Sequence, residues 1–151
     1  PSPDGTPHVV KGMVRPLTVT SPAGPAPEPR AAVTISGFDF GYRVTPDLTG
    51  GDNQTIKFVN EGQQHHEVLV IRLAEGKSIH DFATAPEAGT AAGPPPGVPL
   101  GGITGLEPGQ AAYFVGSFAP GRYGLICFLN DERGDGAPNY TKGMLTEFTV
   151  R

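Results

Sequence analysis

An all-β sandwich is the fold this sequence predicts, and two features of the chain predict it. Pro and Gly are abundant, 17 and 22 of 151 residues. Between them stand short runs rich in Val, Ile, Phe and Thr, a pattern of strands and turns and not of long helices. The length suits one domain with one core and is too little for two complete ones.

Taken in order, residues 1–20 come first and are set apart by a Pro-rich stretch. Residues 21–30, Ser-Pro-Ala-Gly-Pro-Ala-Pro-Glu-Pro-Arg, hold four prolines and almost nothing that can be buried, so they read as a stiff interdomain linker. A domain then spans 31–151. Its strands are expected at 31–36, 38–44, 54–60, 66–73, 111–118, 121–128 and 143–150, each rich in β-branched or aromatic residues. Seven short strands suggest a sandwich. Between the fourth and fifth, Gly76 to Ala85 suits a short helix, and Gly89 to Gly102 reads as a Pro-Gly loop around Pro94-Pro95-Pro96. A loop of that length is functional or packs on the sheet as a cover, and a cover is the reading favoured here.

Charge removes some functions. The formal net charge is −4 with 11 Lys and Arg and no basic run, so the footprint of a nucleic-acid binder is missing. No apolar run approaches the roughly 20 residues that span a bilayer, and Pro1 to Pro7 lack the build of a signal peptide. The lone cysteine, Cys127, has no partner for an internal disulfide; such a thiol is either buried and inert or a ligand.

The chain also repeats itself. Asp4-Gly5-Thr6-Pro7-His8-Val9-Val10-Lys11-Gly12-Met13-Val14 aligns with Asp135-Gly136-Ala137-Pro138-Asn139-Tyr140-Thr141-Lys142-Gly143-Met144-Leu145 at an offset of 131, and Leu17-Thr18-Val19 aligns with Phe148-Thr149-Val150. Tandem duplication explains this, because the offset equals one domain plus linker. Residues 1–20 are then the last loop and strand of a preceding copy. A terminal strand without its sheet should be disordered, borrow an edge of its own domain, or pair with a neighbouring molecule, which opens a route to strand exchange or a homo-oligomer.

The chemistry gathers around two segments. Asn60-Glu61-Gly62 leads through Gln63, Gln64 and His65 into the strand His66-Glu67-Val68, and Gly121-Arg122-Tyr123-Gly124-Leu125-Ile126-Cys127 is followed by a polar loop and Gly143-Met144 before the last strand. This arrangement resembles the cupredoxins, the blue type 1 copper proteins. Their motifs are an Asn-x-Gly turn before a His-[Asn/Glu/Asp]-Val strand, a Gly-x-Tyr-x-x-x-Cys strand, and a closing loop with a His and a Gly-Met. The resemblance covers about residues 30–151 and implies a Greek-key β-sandwich of seven to eight strands. It implies copper held by His66, Cys127 and Met144 as imidazole, thiolate and axial thioether, a set that suits both oxidation states.

One position departs from the family. Its second imidazole should stand where the first repeat has His8, and the domain carries Asn139 there, a poor copper ligand. Sixteen residues separate Cys127 from Met144, a longer loop than in the small electron carriers. Bland readings stand beside the sharp ones: Cys127 as a small core hydrophobe, Met144 as packing, His66 as a hydrogen-bonding residue of the loops. His65 should point to the opposite face and be exposed, and His80 should lie on the surface of the short helix.

Two functions follow. One is a copper-binding or electron-transfer module with an incomplete site, docking a redox partner near His66 and residues 94–100; the other is a metal-free structural or interaction domain of a longer, repeated protein. The resemblance implies a periplasmic, secreted or otherwise extracytoplasmic setting. A multicopper enzyme needs His-x-His pairs, and none occurs. Gly-x-Ser-x-Gly and the phosphate-binding loop motif are also absent, so no enzyme is expected.

Overall fold

The computed structural model describes residues 3–21, 24, 26–85 and 93–151. Eight strands form two four-stranded sheets: β1 (Val33–Phe38), β2 (Gly41–Thr45), β3 (Gly51–Asn60), β4 (His66–Leu73), β5 (Gly97–Leu106), β6 (Ala111–Phe118), β7 (Gly121–Ile126) and β8 (Leu145–Val150). One sheet has the order β2-β1-β3-β6 and the other β5-β4-β7-β8. β1 runs parallel to β3, and every other pairing is antiparallel. Alternating side chains of both sheets meet in a core that includes Ile35, Ile56, Phe58, Val68, Val70 and Leu125. Burial of this period-two apolar pattern is what holds the sheets together.

The expected helix is α1 (Ile79–Ala83), started by Ser78, whose hydroxyl accepts from the Asp81 amide while the Asp81 carboxylate accepts from the Ser78 amide. Ile79 packs from it onto Ile71 and Ile126 on the outer side of the second sheet. Buried Tyr123 stacks on Phe148 at 5.6 Å and donates its hydroxyl to the Ala119 carbonyl at 2.7 Å, tying the β6–β7 turn to the core.

The expectation of a Pro-Gly loop up to Gly102 is corrected. Residues from Gly97 onward form β5, an edge strand paired with β4 through two register shifts. Its Pro99, Gly101 and Gly102 suppress the strand signal, yet an edge strand and its bulges tolerate such residues. Gly102 has φ 150°, and a Cβ there would collide with the Val68 carbonyl. Residues 86–92 of the expected cover lie outside the described residues; Pro96 accepts from the Ala74 amide at 2.9 Å just before β5. Other limits shift: the first strand begins at Val33, the seventh stops at Ile126 and the last starts at Leu145.

Residues 3–21 form turns and irregular chain with no strand pairing. The linker is anchored at Glu28, which pairs with Lys57 at 2.6 Å and accepts from the Tyr113 hydroxyl on β6. No helix among the described residues is long and apolar enough to cross a membrane.

Candidate metal centre

β4 and β7 are neighbours, with Leu69 opposite Ile126. Their ends therefore bring His66, the first residue of β4, and Cys127, the residue after β7, to one end of the sandwich. The chain then leaves the sheet, and the loop of residues 128–144 folds back over this end. An isolated bridge joins Asn130 and Pro138, and the Asn139 amide donates to the Leu129 carbonyl at 2.8 Å. A single 3-10 turn at Asn139–Lys142 then returns the chain to Cys127: the Tyr140 amide donates to the Cys127 carbonyl, and the Cys127 amide to the Met144 carbonyl, both at 3.1 Å. Gly143 closes that turn at φ 112°, a conformation that favours glycine.

His66, Cys127, Asn139 and Met144 are all fully buried. The Asn139 side-chain nitrogen lies 3.5 Å from His66 Nδ1 and 3.5 Å from Cys127 Sγ, so it stands between the imidazole and the thiol. Its Oδ1 has no hydrogen-bond partner among the described residues. The Met144 methyl lies in contact range of Gly37, where a Cβ would sit 3.4 Å away.

The orientation of His66 is set by Asp39, in the turn between β1 and β2. His66 Nε2 lies 2.8 Å from Asp39 Oδ1, which also accepts from the Gln63 amide at 3.0 Å. A carboxylate at Nε2 places the ring proton there and leaves Nδ1 with its lone pair toward Cys127 and Asn139. Burial, the largest influence, pushes the Cys127 thiol above its ordinary value, while the hydrogen bond from Asn139 pulls the other way.

Loop contacts hold the rim. Asn60, fully buried, donates to the Gln64 and Leu106 carbonyls at 2.8 and 2.7 Å and accepts from the Gly62 amide at 2.9 Å. Glu67 accepts from the Phe128 amide at 2.6 Å, next to the thiol. Lys142 bridges Asp131 and Asp135 across the loop. Half-exposed His65 pairs with Glu132 at 3.0 Å, and that carboxylate raises its ring pKa. His80 lies exposed on α1 and His8 exposed on the tail.

The structure thus links His66 and Cys127 through Asn139, buries Met144 on the same closing loop, and leaves His8, His65 and His80 outside. Sequence reasoning passed over Asp39, whose only signal is an acidic residue in the Phe38-Asp39-Phe40-Gly41 turn, and the role of Glu67 in pinning the loop amide.

The donor types present fit a soft metal ion: one imidazole nitrogen and one thiol sulfur sealed from water, with a thioether buried on the same closing loop. An unpartnered buried acceptor such as Asn139 Oδ1 is a group that calls for a cation or proton donor. Among the described residues no three His, Cys, Asp or Glu side chains come together so as to hold a metal ion.

No family model and no curated protein matches the sequence. Among solved structures, the fold is similar to that of Na-dithionite-reduced auracyanin from the photosynthetic bacterium Roseiflexus castenholzii, with a TM-score of 0.51 and 21% sequence identity over 81% of this chain and 99% of that one. The chain has a cupredoxin-like fold.

Proposed function

We propose that this domain is a cupredoxin-type copper-binding module with an incomplete type 1 site, in which His66, Cys127 and Met144 hold the ion and Asn139 stands at the place of the second imidazole. The single observation that carries the reading is the burial of these four side chains together, with His66 Nδ1 freed for a metal by the Asp39 carboxylate at Nε2. Copper bound by such a set supplies one-electron chemistry. The chain's own residues do the rest. Asp39 holds the imidazole in one tautomer, and Asn60 and Glu67 fix the loops that carry His66 and Cys127. The raised thiol means that uptake of a metal releases the Cys127 proton and weakens as the pH falls. On this reading the module is non-enzymatic, extracytoplasmic, and serves a redox protein partner.

A second reading has its own observation. Asn139 donates toward both His66 and Cys127, so the amide can close a metal-free polar core in a domain kept for structure or interaction.

Titration of metal-free protein with Cu(II), followed by visible absorption, separates the two. The copper reading expects an intense thiolate-to-copper band at one equivalent, lost in Cys127→Ser and in His66→Ala. Absence of both the band and stoichiometric copper selects the metal-free reading.

A further inference from the structure

We infer that residues 4–20 are the closing segment of a second copy of this fold, lying ahead of this one on the same polypeptide, and that the copy covers them as β7 and the core cover residues 135–151 here. The sequence repeat alone shows kinship; the structure adds conformation. In the tail the Thr6 amide donates to Asp4 Oδ1 at 3.1 Å, and in the domain the Ala137 amide donates to Asp135 Oδ1 at 3.0 Å. Val10 donates to the Pro7 carbonyl, Gly12 to that of Val9 and Met13 to that of His8, at 3.0, 3.1 and 3.0 Å. Their counterparts are Thr141 to Pro138, Gly143 to Tyr140 and Met144 to Asn139, at 2.9, 3.1 and 3.1 Å. Lys11 pairs with Asp4 at 2.6 Å as Lys142 does with Asp135, also at 2.6 Å. Gly5 and Gly136 have φ 76° and 74°. Each of these features recurs at the same offset of 131 residues.

The tail holds this shape without the body that shapes the loop in the domain. What differs is cover. Met13 and Val19 are 75% and 93% exposed, whereas Met144 and Val150, their counterparts, are buried to 0% and 1% exposure. Leu17, at 82%, corresponds to Phe148, which packs on Tyr123. An apolar stripe of this kind, in the register of β8, is complementary to a β7-like strand and a sandwich core. The length of the offset places that core one domain and one linker upstream. Resting on the copper reading, one step further follows: the upstream site has the imidazole of His8 where this domain has Asn139, so the two copies differ in one ligand.

The test builds the arrangement from this chain. Residues 31–134 are joined ahead of Asp4, so that residues 4–20 follow a domain body as residues 135–151 do, with 21–151 continuing unchanged. The inference expects the amides of Leu17 to Val19 to gain hydrogen-exchange protection, and trypsin cleavage after Lys11 to slow at least about tenfold relative to the 151-residue chain. Equal cleavage in the two chains overturns it, with the downstream domain as internal control for folding. Should the added body fail to fold, the 151-residue chain carrying Ala137→Thr, Asn139→His, Tyr140→Val and Thr141→Val, whose loop is then that of the tail, decides: retained cooperative unfolding supports the inference and its loss overturns it. A 151-residue chain that is dimeric with the tail already protected overturns the same-chain placement in favour of exchange between molecules. Copper bound by the first copy with a thiolate band, lost in His8→Asn while tail protection persists, supports the ligand difference. Protection with no copper in either copy keeps the closing segment and removes the copper reading.

Discussion

Gly62 shows how closely the candidate site is built at the level of single residues. A Cβ at this position would lie 2.6 Å from both Asp39 Oδ1 and His66 Nε2, the two atoms of the hydrogen bond that orients the imidazole. Neither atom can retreat cheaply, because His66 is buried and Asp39 also accepts from the Gln63 amide. Gly62→Ala should therefore destabilise the domain by about 1–3 kcal/mol, the range for strain at a packed polar contact. Urea unfolding of the two proteins measures it, and an unchanged midpoint would show that the loop shifts freely. Asn139 is the opposite case, a residue whose amide nitrogen is engaged at 3.5 Å by two groups while its oxygen has no partner. A buried acceptor left open costs stability.

Among the elements, the edge strand β5 and the linker each depend on neighbours that local sequence does not announce. β5 exists because β4 offers it a ladder; its own Gly and Pro content argues against a strand. The linker's prolines favour an extended chain, but its docking at Glu28 is electrostatic. The hydrogen bond from Lys57, followed by that from Tyr113, holds the Glu28 carboxyl below its ordinary value. A carboxylate with a depressed folded pKa contributes fully above the unfolded value, about 4.3, and the contribution is lost as the pH falls through the depressed one. Linker docking should accordingly be constant at neutral pH and released in acid. Lys57 and Tyr113 NMR shifts followed from pH 7 to pH 2 should move together in a single step below about pH 4.3. The pair is exposed and should also weaken with salt. In Lys57→Met the step should return toward the ordinary glutamate value; a step that stays put would remove Lys57 as its cause.

For the whole molecule, the sandwich of residues 31–151 contains the core, the candidate site and every strand pairing found among the described residues, while residues 3–21 add none. Deleting residues 1–26, which keeps Glu28, should leave the thermal midpoint of unfolding unchanged within error. A clear drop would mean that the tail adds to a sheet edge after all. The same independence is why the tail can belong, structurally, to another copy: it carries the turn and apolar stripe of a closing segment but draws no cover from this domain.

The sequence by itself determined the class of fold, most strand positions and the helix, and it singled out His66, Cys127, Asn139 and Met144 as the candidate group. These are written in local terms: period-two apolar runs, Pro and Gly punctuation, and a spacing shared with a known family. The repeat was equally legible, because identity at a constant offset needs no structure. Only the tertiary structure decided that Pro99 to Gly102 is strand, that Asp39 orients His66, and that the Asn139 amide stands between imidazole and thiol. Each of these is a contact between residues distant in the chain, Asp39 and His66 across 27 residues and Asn139 and His66 across 73. Contacts of that kind are set by how the sheets pack, and no local pattern encodes them.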